Sequence, residues 1–360
     1  MRVCYLADAN SIHTKKLCNY FVSIGYDMTV ISLNKGEIPG VKVYSMDMEI
    51  ENDGAIYSKF TYLNKLGKIK KIINDIKPDI VHAHYASSYG LFAAIINYKP
   101  TIVSVWGSDI YDFPKKSYIH KSIIKFNLNK ADCILSTSNI MKKETEKYTN
   151  KEIIVTPFGV DIEKFKPLEH ENNNSGEIVI GTIKSLEEKY GINYLIRAFK
   201  LVTESNQKEK LRLVIAGKGS RLEELKNLCK ELNISDTVDF IGHISQYEVV
   251  KTFQSFDVAV FPSILDSESF GVAAVEAQAC GIPVVVSDVD GLLESTVPNV
   301  TSLVAKRMSV EDLAEKINIL VKDINLRKKM GTNGRKNVLD KYNIVNNFNI
   351  IDDVYKSFVK

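Results

Sequence analysis

The 360 residues carry 47 Lys and Arg against 44 Asp and Glu, a net charge of +3, with 45% apolar and 25% charged residues. That balance belongs to an ordinary globular chain long enough for two domains and gives no sign of disorder or low complexity. No apolar run reaches the ~18 residues of a membrane span, and Cys4, Cys18, Cys133, Cys229 and Cys280 are scattered without a C-x-x-C pair, against a disulfide framework or zinc knuckle and in keeping with a reducing cytoplasm. The opening "MRVCYLADAN" has one arginine and a short apolar run before Asp8, so a first strand is expected there rather than a signal segment. Six further β-branched runs follow: "DMTVISL", "VKVYSM", "DIVHAHY", "TIVSVWG", "CILSTS" and "EIIVTPFG". Between them lies a basic amphipathic stretch over residues 61–78. Leu63, Leu66, Ile69, Ile72 and Ile73 fall at helical spacing, with Lys65, Lys68, Lys70, Lys71 and Lys77 interleaved. It reads as a helix packed on its sheet or as one lying on an anionic membrane.

The polar, Asn-rich "KPLEHENNNSGE" (166–177) is expected to be a linker. Beyond it come "EIVIGTI", "LRLVIAG", "TVDFIGHI", "VAVFPS", "PVVVSD" and "TSLVAK", again separated by helical segments. Repeated strand–helix units predict parallel sheets covered on both faces. The expected fold is α/β, with two Rossmann-like doubly wound domains at 1–168 and 169–342. A last helix, about 343–360, is expected to pack back on the first domain. Ligands of such sheets bind beyond the carboxyl ends of strands, here expected in a cleft between the domains.

The chemistry-bearing residues sit at strand ends. After the strand containing Gly181 come Lys184 and Lys189, suited to a diphosphate. The strand "LRLVIAG" ends in Gly217-Lys218-Gly219, which lacks the third glycine of a dinucleotide fingerprint but fits the edge of a nucleotide pocket. In "ESFGVAAVEA", Glu268 lies in a loop and Glu276 inside the following helix. The N–H groups of Phe270, Gly271 and Val272 at the helix start favour an anion. In the first half, Ser11 and His13 follow the first strand, where Ser11 also reads as a helix cap. His82 and His84 end a strand without a carboxylate or cysteine at metal-ligand spacing. "SVWGSDIYDF" presents Trp106, Ser108 and Asp109.

The order Gly-x-x-Lys…Lys-x-Gly, Ala-Gly-x-Gly, Phe-x-Gly, Asp-Val-x-Val-x-Pro-Ser, Glu-x7-Glu and Ala-x-Gly-x-Pro-Val-Val resembles the nucleotide-sugar domain of retaining glycosyltransferases of family 4, with the GT-B fold. The resemblance extends over nearly the whole chain and is most specific at Glu268–Glu276. It implies that Glu276 binds the donor ribose and that Glu268 lies by the donor sugar. It implies that the backbone at 270–272 meets sugar or diphosphate, and that Lys184 and Lys189 neutralise the diphosphate. His84 would reach toward the donor sugar. Gly181 and Gly217 are further nucleotide-sugar candidates; Ser11, His13, Trp106, Ser108 and Asp109 are acceptor-side ones. Thr182 stands where many members have arginine, which makes Lys184 the candidate for that role. The loop after "PVVVSD" keeps Gly291 and Glu294 but lacks the usual second glycine.

The activity so implied is metal-independent transfer of a hexosyl or N-acetylhexosaminyl group, with no cofactor. The donor would be a UDP- or GDP-linked sugar and the acceptor a glycan or lipid-linked glycan of bacterial capsule, exopolysaccharide or O-antigen synthesis. The expected setting is cytoplasmic, with contact to the anionic inner membrane face and no nucleic-acid partner. Competing readings are a nucleotide-sugar epimerase of the same architecture and a non-catalytic nucleotide-sugar-binding protein.

Overall fold

A computed structural model of the chain describes residues 1–46, 64–168 and 176–359. These form two compact units, Met1–Phe158 with Val345–Lys360, and Gly159–Ile344. In the first, among the described residues, lie β1 (Arg2–Leu6), β2 (Asp27–Ser32), β3 (Lys42–Ser45), β4 (Ile80–His84), β5 (Thr101–Val105), β6 (Cys133–Ser136) and β7 (Ile153–Val155). They pair in the order β3-β2-β1-β4-β5-β6-β7, all parallel. β4, β5 and β6 are buried from end to end. Helices cover both faces, which is why these strands read as nearly unbroken apolar runs. Their core packs Ile31, Val81, Val103 and Ile134 with Phe92 and Leu128.

The second unit repeats the plan with β8 (Glu177–Ile183), β9 (Lys210–Ala216), β10 (Val238–Gly242), β11 (Val258–Phe261), β12 (Val284–Ser287) and β13 (Ser302–Ala305). The order is β10-β9-β8-β11-β12-β13, again parallel. Ile180, Leu213, Val260 and Val285 meet Phe199 and Ile317 in its core. In each sheet the strand order reverses once, between β1 and β4 and between β8 and β11. Loops leaving the two strands at such a point diverge to opposite faces and leave a crevice.

One sequence-based expectation needs correction. Residues 159–168 do not belong to the first domain. Val160 bridges Asn343, its N–H donates to the Tyr342 carbonyl at 2.8 Å, and Arg335 donates to the carbonyls of Phe165 and Ile162. The proposed linker falls largely on 169–175, outside the described residues. The basic stretch follows the first of its two readings, a helix packed on its sheet. Its helix runs over Leu66–Ile76 with Ile69, Ile72 and Ile73 buried and Leu66 and Ile76 packed on the core. The apolar stripe faces the sheet and is not available to a membrane; Leu63 lies outside the described residues.

The C-terminal helix (Ile344–Phe358) joins the first unit from Val345 onward through a buried polar chain. The Tyr355 hydroxyl lies 3.0 Å from that of Tyr5 and 2.5 Å from His82 Nδ1, and His82 Nε2 lies 2.7 Å from Ser104 Oγ. Tyr20 and Tyr26 donate to Asn349 and Asp352 of the same helix. Burial without a carboxylate partner pushes the His82 pKa down to about 3 and that of His84 well below the ordinary value, the latter helped by His82 and His13.

Both histidines are therefore neutral in the fold and protonate when the chain opens. Stability is intact above the unfolded-state pKa of about 6.5 and falls as pH drops below it. For His82 alone the loss between about pH 7 and pH 5 amounts to about 2 kcal/mol. Denaturant unfolding followed by Trp106, the single tryptophan and a first-unit residue, should show this slope, and His82→Gln should flatten it. Equal slopes in the two proteins would contradict the assignment.

Candidate active site

The second-unit site lies where its strand order reverses. β8 ends at Ile183, so Lys184 is the first residue beyond it; β11 ends at Phe261 and opens the loop that carries Glu268. The two side chains form an ion pair, Lys184 Nζ to Glu268 Oε2, at 2.7 Å, and are only 13% and 10% exposed. Burial lowers the Lys184 pKa, but Glu268, Tyr190 and Glu276 outweigh it, so the pKa stands above the ordinary lysine value and the ammonium persists. Glu276 thus shares the electrostatic field of Lys184 from inside the helix Val272–Ala279, where it is buried. Tyr190, unremarked in the sequence, lies between the two lysines: Lys184 Nζ is 4.6 Å from its ring centroid and Lys189 Nζ is 4.8 Å away. A ring face bearing partial negative charge holds both ammonium groups near one place.

The helix starts one residue later than Gly271, which sits in the left-handed region at φ 75° and turns the chain into it. Of its first-turn N–H groups, that of Ala274 donates to the Gly271 carbonyl at 2.9 Å, while that of Val272, the first helical residue, has no intrahelical acceptor. Phe270 is buried and meets Tyr342 edge to face at 5.4 Å. Loop 262–271 is clamped from below. Arg307 binds Asp266 at 2.9 Å and Asp288 at 3.1 Å, and Ser287 donates to the Ser263 carbonyl. Loop 184–190 is tied to the next loop by Glu187, which accepts from the Ser220 N–H at 2.9 Å and from its hydroxyl at 2.5 Å.

Two glycines proposed as nucleotide contacts have other reasons to be glycine. A Cβ at Gly181 would stand 2.2 Å from the Phe256 ring, so that position is a packing contact inside β8. Gly217, at φ 143°, lies against the Lys184 carbonyl, 1.8 Å from where its Cβ would be; it positions Lys184 by letting the backbones touch. Thr182 is fully buried inside β8 and carries no charge; Lys184, the first residue beyond the strand, is the cation beside it.

The first-unit candidates lie beyond β1, at the end of β4 and beyond β5, the first two of these strands being the pair at which the order reverses. His84 is buried, its Nδ1 3.3 Å from Thr14 Oγ1 and its Nε2 without a partner among the described residues. Its ring centroid lies 4.6 Å from Tyr5 and 4.5 Å from Trp106. His13 stacks on Phe158 at 4.0 Å and meets Trp106 edge to face at 5.8 Å. Ser11 is at the N-cap of the helix Ile12–Ser23 but its side chain makes no cap bond, so capping does not explain it. Ser108 is exposed at the start of the short helix Ser108–Tyr111. Asp109 departs from its expected role. It is buried, and its carboxylate accepts from the N–H groups of Trp106, Gly107 and Ala86 at 3.1, 2.9 and 2.8 Å. Burial raises its pKa against those bonds, and it holds the Trp106 loop rather than facing an acceptor.

Residues 2–138 match the family described as glycosyl transferase 4-like, and residues 163–337 match glycosyl transferases group 1. The two matches account for both units and both crevices. The chain belongs to the GT-B glycosyltransferases.

Relatives of this glycosyltransferase bear the same label. An uncharacterized glycosyltransferase of Methanocaldococcus jannaschii is 27% identical over 96% of this chain and 93% of its own. The capsular polysaccharide biosynthesis glycosyltransferase CapM of Staphylococcus aureus is 27% identical over 84% and 82%. Among solved structures, Anabaena HepE in complex with UDP and glucose superposes with a TM-score of 0.82 at 16% identity, covering 99% of this chain and 100% of that one.

In this glycosyltransferase, sequence reasoning passed over Tyr190, Arg307 and Phe158. Tyr190 adjoins Lys189 and was open to notice; Arg307 is 41 residues from Asp266 and carried no local signal. The packing role of Gly181 is testable. Gly181→Ala should cost about 1–3 kcal/mol by overpacking, and Phe256→Leu in the same chain should make the losses less than additive. Chemical denaturation of the single and double variants measures this; strict additivity would rule out the contact.

Proposed function

We propose that the protein is a retaining family 4 glycosyltransferase that moves a sugar from a nucleotide diphosphate to a carbohydrate acceptor in bacterial surface polysaccharide synthesis. The observation that carries the donor half is the charge-retaining Lys184–Glu268 pair at the β8/β11 reversal, with Glu276 acting on the same lysine. Glu276 then accepts from the ribose hydroxyls, and Glu268 accepts from hydroxyls of the sugar. Lys184 turns from Glu268 toward the diphosphate, where Lys189 and the first-turn N–H groups join it. UDP or GDP would fit such a site. The UDP bound by the HepE structure favours uridine as the first nucleotide to try, and the printed role of CapM favours a glycan or lipid-linked glycan acceptor.

In the reaction, the acceptor oxygen bonds to the anomeric carbon as the bond from that carbon to the diphosphate oxygen breaks. The acceptor proton passes to the departing phosphate on the same face, so the anomeric configuration is kept. Negative charge grows on the diphosphate at this moment, and ammonium groups already in place lower the barrier. His84 serves the sugar side as a neutral imidazole, and Ser11, His13, Trp106 and Ser108 serve the acceptor. The charge neutralisation is assigned to lysines without a metal, and turnover in the presence of EDTA tests that assignment.

A thermal-shift series with UDP, GDP, ADP, CDP and their sugars identifies the donor: one base should raise the melting temperature. Glu276→Ala should weaken that nucleotide by roughly 10–100-fold, as hydrogen bonds to a charged group are worth about 1.5–3 kcal/mol each. Unchanged affinity in calorimetry would remove Glu276 from the ribose. Lys189→Ala should lower kcat about tenfold or more at saturating donor, with little change in acceptor KM. An unaffected kcat would remove Lys189 from leaving-group stabilisation.

A further inference from the structure

The two buried histidines of β4 differ at their ring nitrogens. His82 has a hydroxyl at each, Tyr355 at Nδ1 and Ser104 at Nε2. His84, the last residue of the strand, has one at Nδ1 only, the Thr14 Oγ1 at 3.3 Å. Its Nε2, on the far side of the ring, is buried and has no partner among the described residues. Such an atom is rare in a native fold, costs free energy and calls for a reason. The ring itself is held in place. Tyr5 and Trp106 flank it at 4.6 and 4.5 Å, and His82 meets it edge to face at 4.9 Å.

Thr14 is fully buried in the first turn of the helix Ile12–Ser23. A helical threonine can donate to the carbonyl four residues back, as Thr145 does to Met141. For Thr14 that carbonyl belongs to Asn10, ahead of the helix, and His84 Nδ1 is the hydroxyl's one partner among the described residues. Burial, His82 and His13 keep the His84 ring neutral, so one of its nitrogens carries the proton and the other does not. If Nδ1 carries it and donates to Thr14, the threonine O–H is left without an acceptor in the sealed interior. If Thr14 donates to Nδ1, the proton is on Nε2. The unpaired donor then lies at the carboxyl end of a strand beside the reversal, where a ligand can pair it. Orphaned buried donors are rarer than under-satisfied acceptors, and only the second arrangement gives the orphan a remedy.

We propose that Thr14 is a positioning residue whose hydroxyl donates to His84 Nδ1 and fixes the imidazole with its proton on Nε2. His84 then offers a ligand a hydrogen-bond donor and not a base. It donates to an oxygen such as that of a sugar hydroxyl. With Nε2 already protonated and Nδ1 occupied, it does not take the proton of an attacking hydroxyl, which is left to the departing phosphate. The ligand half of this inference rests on the proposed function. The tautomer does not, and it is read without any nucleotide.

The test is nitrogen NMR of the full chain isotope-labelled at its histidine ring nitrogens. There are six histidines, and loss of one ring's signals in His84→Gln assigns them. At neutral pH the His84 Nε2 resonance should stand at the protonated position and Nδ1 at the unprotonated, hydrogen-bonded one. Thr14→Ser, which keeps the hydroxyl, should preserve this pattern. Thr14→Val, which keeps the shape alone, should move Nδ1 downfield or transfer the ring proton to it. A wild-type ring protonated on Nδ1 would overturn the proposal without any variant having to fold, and so would a Thr14→Val ring indistinguishable from wild type. In transfer from the nucleotide sugar that the thermal-shift series selects, Thr14→Val should lower kcat/KM about tenfold or more through misplacement of the imidazole. Nucleotide affinity should be unchanged, and Thr14→Ser should restore the rate. Full turnover by Thr14→Val would remove the ligand half. If no nucleotide binds the wild type, the donor reading fails, while the nitrogen spectra still decide the tautomer.

Discussion

The reversal of strand order is the constraint on which the rest depends. In a parallel sheet every loop after a strand opens at the same edge, and only where the order reverses do neighbouring loops part. β8 and β11 are such neighbours, and the residues just beyond them are Lys184 and the loop of Glu268. Two residues more than eighty positions apart, Lys184 and Glu268, thus meet as a buried ion pair. Close approach of backbones then holds the loops at that depth. Gly217 lies against the Lys184 carbonyl, and Gly291 lies against the Glu268 carbonyl, 2.1 Å from where its Cβ would be. Arg307 fixes the far end of the Glu268 loop through Asp266 and Asp288.

The two units treat buried ionisable groups in opposite ways. Lys184 stays charged because carboxylates and a phenol ring stand around it and outweigh the cost of burial. His82 and His84 have hydroxyls and aromatic rings for neighbours and lose their charge. One crevice is therefore suited to an anion held by a permanent cation. The other is suited to neutral, hydroxyl-rich matter met by rings and a neutral imidazole. Under the proposed function, the first would take the donor diphosphate and the second the hydroxyls of the donor sugar and the acceptor.

The C-terminal helix ties the end of the chain into the same logic. Tyr355 reaches His82 and Tyr5 in the middle of the first sheet, so the last turns of the protein complete the hydrogen bonding of a strand that ends in the candidate His84. A buried polar chain of this kind is costly unless every member is satisfied, and its last member arrives only when the whole polypeptide has been threaded through the second unit.

Much of this could be read in the residues themselves. The thirteen β-branched runs correspond to the strands found among the described residues, because strands covered on both faces are largely apolar, and that is a local property. Glu268, Glu276 and the two lysines stood out as charged groups in the loops and helix that follow strands, and the resemblance to family 4 supplied the roles expected of them. Other features were decided only by tertiary contact. Gly181 looks like a ligand glycine until Phe256, seventy-five residues on, fills its face. Asp109 looks like a site acid until three backbone N–H groups take its oxygens. The stripe Ile69–Ile73 looks fit for a membrane until the sheet covers it, whereas Tyr118 and Ile119 gave no periodic signal and are left outside. Periodicity and residue type are fixed within a few turns of chain. What covers a face, and which donor reaches an acceptor, depends on residues far away in sequence.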